Sequence, residues 1–199
     1  MPTEPLESLH ARLTSQNAAP SQLSRISDVR SLCERSPHCH GLALVGSFAQ
    51  GTGDRISDLD LAAFVTEGRE AEFMAQAHEF LGSSEVLSVY GQDHIGEASF
   101  RKYVYLDFSS CEFYAFSNLA PFKLRRPFLS VWNPHDYLET LVVDEDPPRH
   151  ETFDPYPHGD DALVWELVDC IKWLSRGRQA LAKSYLLRLA EALKAKGAV

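Results

Sequence analysis

The stretch from Leu42 to Phe64, LALVGSFAQGTGDRISDLDLAAF, constrains the fold more than any other part of the sequence. An apolar run from Leu42 to Val45 stops at Gly46-Ser47, and a second run, Leu59 to Val65, resumes after an interval holding Gly51 and Gly53. Short apolar runs bounded by glycines read as buried strands, which predicts two strands joined by a loop with room for a short helical turn. Side chains alternate along a strand, so Asp58 and Asp60 project from one face while Leu59 and Leu61 project from the other.

Aspartate is disfavoured in strands, and two on the same face repel each other unless positive charge stands between them. A divalent cation supplies that charge. Mg2+ takes hard oxygen ligands and commonly combines one or two carboxylates with phosphate oxygens and water. The glycine at 46 lets backbone approach a phosphate closely, and the adjoining amides and the Ser47 hydroxyl can donate to its oxygens. A triphosphate held at Gly46 and Ser47 and bridged through metal to Asp58 and Asp60 is the framework of two-metal phosphoryl or nucleotidyl transfer.

The pattern Gly46-Ser47, a ten-residue interval and then Asp58-Leu59-Asp60-Leu61 resembles the signature of the DNA polymerase β-like nucleotidyltransferase superfamily. With Ala49, Gly51 and Ser57 it is similar in style to the aminoglycoside and lincosamide nucleotidyltransferases and to the small stand-alone nucleotidyltransferases. The resemblance implies a third acidic residue on a later strand beside the first pair, sharing the metal or taking the proton from an attacking hydroxyl. The segment YVYLDFSSCEFYAF offers Asp107 and Glu112. Glu112 is preferred because it falls inside a strand, whereas Asp107 begins the polar interval of a hairpin. The implied site is then Asp58, Asp60 and Glu112 for catalysis and metal binding, with Gly46 and Ser47 for the nucleotide and Mg2+, two ions, as the cofactor.

The remaining pattern surrounds this core with helices. Leu6, Leu9 and Leu13 repeat at helical spacing, and Leu23, Ile26, Val29, Leu32 and Cys33 form a second helical face, with Ser21 a candidate N-cap. Glu70 to Leu81 reads as a helix stopped by Gly82. Residues 85–90, 100–106 and 111–116 are rich in β-branched and aromatic residues and read as strands, the last two a hairpin. Pro121, Pro127 and Pro134 punctuate what reads as an irregular connection. At the end, Leu163, Leu167, Ile171 and Leu174 mark one helix and Leu181, Tyr185, Leu189 and Leu193 another, forming an antiparallel pair. The expected architecture is α+β: a mixed β-sheet with flanking helices, followed by a small C-terminal helical annex. The expected division is a nucleotidyltransferase domain over 1–143, a linker over 144–159 and a helical region over 160–199.

Charge and composition narrow the partners. A net charge of -9 disfavours a body that lies along a nucleic acid and favours a small substrate. Arg55, Arg101, Lys102, Lys123, Arg125 and Arg126 are candidates to meet a triphosphate, although each reads first as a surface charge. Trp165, Trp173 and Tyr185 read as core rather than as a stacking platform, and His94 as a polar loop residue. Cys33, His38, Cys39 and His40 sit close together, but with no second ligand pair they read as a helix end and a loop. The sequence MPTEPLESLH carries neither the basic nor the apolar region of a signal peptide, and no apolar run spans a membrane, which predicts a cytoplasmic protein. The leading expectation is transfer of a nucleoside monophosphate from an NTP, with ATP preferred, to a hydroxyl of a small-molecule acceptor. A protein acceptor, as in toxin-antitoxin pairs, and a non-catalytic nucleotide-binding protein are the alternatives.

Overall fold

The structure is a computed structural model that describes residues 2–82, 85–92, 98–146 and 154–196. The chain forms two compact units, Met1–Asp146 and Pro147–Val199. The first is built on a six-stranded mixed sheet, which makes the fold α+β.

In chain order the strands of this sheet are β1 Cys39–Val45, β2 Asp58–Val65, β3 Val86–Gln92, β4 Ala98–Tyr105, β5 Ser110–Ser117 and, beyond a short strand β6 at Leu124–Arg125, β7 Leu129–Trp132. Their spatial order is β3-β4-β5-β2-β1-β7. The β2–β5 pair is parallel and its neighbours are antiparallel. A strand pair β6 and β8, the latter Val142–Val143, forms a separate two-stranded ribbon.

Helices α1 Leu6–Ser15, α2 Pro20–Arg35 and α4 Glu70–Leu81 cover one face. Leu9, Leu13, Ile26, Val29, Phe73 and Ala77 pack there against Leu42, Leu44, Leu59, Leu61, Ala63 and Phe113. Each fully buried Leu or Phe in this layer contributes about 1.5–3 kcal/mol. The alternation along β1 and β2 turns Ala43, Ala62 and Phe64 to the other face, where Leu124, Phe128, Leu138 and Leu141 meet them. Asp58 and Asp60 share that second face by the same alternation.

The first unit differs from the sequence reading at helix α2 and in the proline-punctuated connection. Helix α2 begins at Pro20, with Ala19 rather than Ser21 at the N-cap. Proline is preset for the first helical position, and the Gln22 side chain accepts the Ala19 amide at 2.7 Å, so a serine cap is unnecessary. The proline-punctuated connection also contains β7, which pairs with β1 through Leu42–Trp132, Ala43–Ser130 and Leu44–Leu129. Pro127 and Pro134 lie just outside this edge strand and mark its bounds.

In the second unit, α5 Leu163–Ser175 and α6 Gln179–Ala195 meet around Cys170, Trp173, Ala182 and Tyr185. Trp173 and Tyr185 stand edge to face with centroids 5.2 Å apart, while Trp165 stacks on His158 at 5.7 Å. The aromatics thus displace the expected aliphatic stripe, and Leu167, Ile171 and Leu174 are exposed. Glu166 is buried where its Oε2 accepts the Tyr156 amide and the Tyr185 hydroxyl, both at 2.9 Å.

Truncating the helix-covered layer tests this packing. Leu61→Ala is expected to cost about 2–5 kcal/mol, read as a lower urea midpoint at unchanged slope, whereas Leu119→Ala at an exposed position costs less than about 0.5 kcal/mol.

Candidate active site

The site is assembled by strand register. In the parallel β2–β5 ladder Asp58 stands beside Ser110 and Asp60 beside Glu112. Side-chain alternation carries all three acids to the same face, and one carboxylate oxygen from each lies within 4.8 Å of the others. Among the described residues this is the group of His, Cys, Asp and Glu side chains placed to share a metal ion. Asp107 is elsewhere. It sits in the β4–β5 turn, accepting the Ser109 amide at 2.9 Å, the Ser109 hydroxyl at 2.5 Å and the Ser21 hydroxyl at 3.3 Å. Partial burial would raise its pKa, but these hydrogen bonds and the nearby Arg25 charge outweigh that and lower it.

On the other side of β2, β1 runs antiparallel with Val45 opposite Asp60. The chain then turns at Gly46, whose φ is +68°, into the four-residue helix α3, Gly46–Ala49. A Cβ on Gly46 would stand 1.8 Å from Asp60 Oδ2, so the carboxylate occupies the space that any other residue would fill. Ser47 follows, half-buried, and its carbonyl accepts the Thr52 amide at 2.9 Å. The Gly46–Ser47 turn and the acids are therefore adjacent along two neighbouring strands.

The loop between β1 and β2 is pinned by side chains that pattern reading passes over. Gln16 Nε2 donates to the Phe48 carbonyl at 3.2 Å and its Oε1 accepts the Gly53 amide at 3.2 Å. Gln22, fully buried, donates to the Ser57 carbonyl at 2.8 Å. Ser57 accepts the Asp54 amide and donates to Asp54 Oδ1, closing the turn immediately before Asp58. Ordinary hydrogen bonds to glutamine leave no signature in a sequence; the signal available was that Gln16 and Gln22 lie at the adjoining ends of α1 and α2.

Charge at the cluster is partly offset by a lysine of the neighbouring strand. Lys102 on β4 lies opposite Glu112 in the β4–β5 ladder, and its Nζ donates to Glu112 Oε1 at 2.7 Å and stands 3.7 Å from Asp58 Oδ1. Its side chain is 1% exposed. Lys102 is thus a buried partner of the acids and not the surface charge that composition suggests. The Ser110 hydroxyl donates to Asp58 Oδ1. The field of the acids reaches their neighbours: burial first, then the charges of Glu112 and Asp60, hold the Tyr114 hydroxyl well above its ordinary range, and burial followed by Asp60, Glu112 and Asp58 does the same to the Cys111 thiol.

Other expected contributors have partners of their own. Arg125 pairs with Glu145 at 2.8 Å, Arg126 with Glu139 at 3.0 Å, and Arg101 donates to the Phe100 carbonyl. Arg55 and Lys123 are exposed. Cys33 and Cys39 are both buried, and burial together with the neighbouring Cys39 raises the Cys33 pKa. His94 lies outside the described residues.

A three-carboxylate set with hard oxygen donors fits Mg2+, and at 18% exposure Asp58 and Glu112 remain reachable from solvent. No protein-family model matches the chain, and no curated protein sequence matches it. Among solved structures, a crystal structure of the Cid1 poly(U) polymerase concerned with its UTP selectivity, with Mg and 3'-dATP bound, is similar at 18% identity and a TM-score of 0.35. The match covers 57% of this chain and 37% of that one, so the chain spans little more than a third of the length of that protein. Similarity at this level carries no argument about the site.

The close approach at Gly46 has a measurable consequence. Gly51 also has a positive φ, +77°, but faces open space, so Gly51→Ala is expected to cost about 1–2 kcal/mol of backbone strain. Gly46→Ala adds a collision with Asp60 and should cost clearly more, measured as the difference in unfolding free energy between the two variants.

Proposed function

We propose that this protein is a Mg2+-dependent nucleotidyltransferase of the DNA polymerase β-like superfamily, moving a nucleoside monophosphate from an NTP to a hydroxyl with release of pyrophosphate. The observation that carries the reading is the convergence of Asp58, Asp60 and Glu112 within 4.8 Å on one sheet face, beside the Gly46–Ser47 turn. The proposed nucleotidyltransferase domain is 1–143 with a helical region at 160–199, ATP is the proposed nucleotide, and a small molecule in the cytoplasm is the proposed acceptor. Among the described residues no helix is long and apolar enough to cross a membrane.

Mg2+ bound here would neutralise phosphate charge and polarise the reacting phosphoryl group. The protein's part is alignment. Asp58 and Asp60 are held on one face by the β2–β5 ladder, with Asp58 further oriented by Ser110. Gly46 and the Ser47 hydroxyl offer a close, donor-bearing surface to the triphosphate. The acceptor oxygen forms a bond to the α-phosphorus as the bond to pyrophosphate breaks; pyrophosphate leaves with the electron pair, and the hydroxyl proton passes to the Glu112 carboxylate. Little covalent chemistry falls to the protein, so fixed geometry and charge carry the rate.

Pyrophosphate release with Mg2+, each of the four NTPs and a panel of hydroxylated small molecules tests the reading. Asp60→Asn should lower turnover by about 10²-fold or more while its melting temperature stays near that of the wild type. An Asp60→Asn protein with normal turnover would contradict it. With labelled ATP and a cell extract, label in a small compound supports the proposed acceptor, and label in a protein band replaces it with a protein acceptor.

A further inference from the structure

The buried ammonium inside the acidic cluster bears on how many metal ions the site takes. Lysine is almost never fully buried unless paired, and Lys102, at 1% exposure, is paired within the cluster itself, 2.7 Å from Glu112 and 3.7 Å from Asp58. One amine therefore reaches two of the three carboxylates proposed to hold metal. The strand register fixes it there, because β4 sets Lys102 directly opposite Glu112, and β5 in turn sets Glu112 beside Asp60.

We propose that Lys102 is a resident cation of the acidic cluster: it holds Glu112 and Asp58 together before any divalent ion arrives, and in the absence of nucleotide it leaves room there for one such ion rather than two. The inference rests on the reading of the cluster as a metal site. Three carboxylates and one ammonium leave two net negative charges, which the two positive charges of a single Mg2+ balance. A second divalent ion bridging Glu112 and Asp58 would have to sit against an ammonium already bonded to one of those acids, and like charges at such distances repel strongly in a partly buried site. Lys102 is thus a positioning residue that acts through Glu112 and Asp58; of the two ions expected from the sequence, the nucleotide-free cluster holds one.

The test uses the full chain without nucleotide, with Mn2+ as the probe. Wild-type protein should bind about one Mn2+ per chain at the cluster, a stoichiometry lost in Asp60→Asn, and Mn2+ should raise its melting temperature above that in EDTA by less than it raises that of Lys102→Met. Lys102→Met, which leaves three acids without their internal cation, should melt well below wild type in EDTA, and Mn2+ should recover most of that loss. Lys102→Arg, which keeps the charge, should behave like wild type in the EDTA comparison. Two ions per wild-type chain, or an equal Mn2+ shift in wild type and Lys102→Met, overturns the proposal while leaving the metal site standing. Absence of Mn2+ binding in every variant overturns the metal reading itself, and this proposal with it. Should Lys102→Met fail to fold under both conditions, the wild-type count still decides.

Discussion

The parallel pairing of β2 with β5 is the constraint on which the rest of the site depends. Side chains alternate with a period of two, so a slip of one residue in this ladder would send Glu112 to the helix-covered face and bring Cys111 or Phe113 beside the aspartates. The hydrophobic layer prevents that slip. Leu59, Leu61, Cys111 and Phe113 are all fully buried against the helices, and exposing them would forfeit several times the free energy that any single polar contact at the site supplies. Core packing thereby sets the spacing of the carboxylates on the opposite face.

That arrangement carries an electrostatic cost. Three acids within 4.8 Å repel one another, and β2 and β5 hold them where water reaches them only in part. The ammonium of Lys102 offsets much of this repulsion, and the Ser110 hydroxyl offsets more at Asp58. What remains is a surplus of negative charge on the sheet face, flanked by Tyr114 and Phe116 on one strand and Phe64 on the other. Such a surplus is matched by a hard divalent cation. The Gly46 turn completes the arrangement by yielding its side-chain space to Asp60.

The half of the site that lies within one local pattern was legible before any coordinates. Gly46-Ser47 and Asp58-Leu59-Asp60 announce themselves because a turn glycine after an apolar run, and acids at a two-residue period, are both unusual in a buried strand. Glu112 was preferred over Asp107 because it falls inside a strand, but its place beside Asp60 comes from the β2–β5 register, a contact between segments about 50 residues apart that one sequence does not encode locally. Lys102 was hidden for a related reason. A lysine in a strand reads as solvated, and its burial follows from the pairing of β4 with β5 and not from its neighbours in sequence. The strand β7 escaped because a four-residue strand set between two prolines makes too short a pattern to recognise, and the face of α5 was misassigned because Trp173 and Cys170 compete with an equally regular leucine stripe.

The central claim is that Asp58, Asp60 and Glu112 together hold a divalent ion at the end of the β2–β5 ladder. Anomalous diffraction from crystals grown with Mn2+ and a non-hydrolysable NTP measures this directly. The account predicts a peak within coordination distance of carboxylate oxygens from all three residues, with triphosphate density against Gly46 and Ser47. Mn2+ bound only elsewhere, or a cluster in which Lys102 alone contacts the acids while nucleotide binds at another surface, would contradict it.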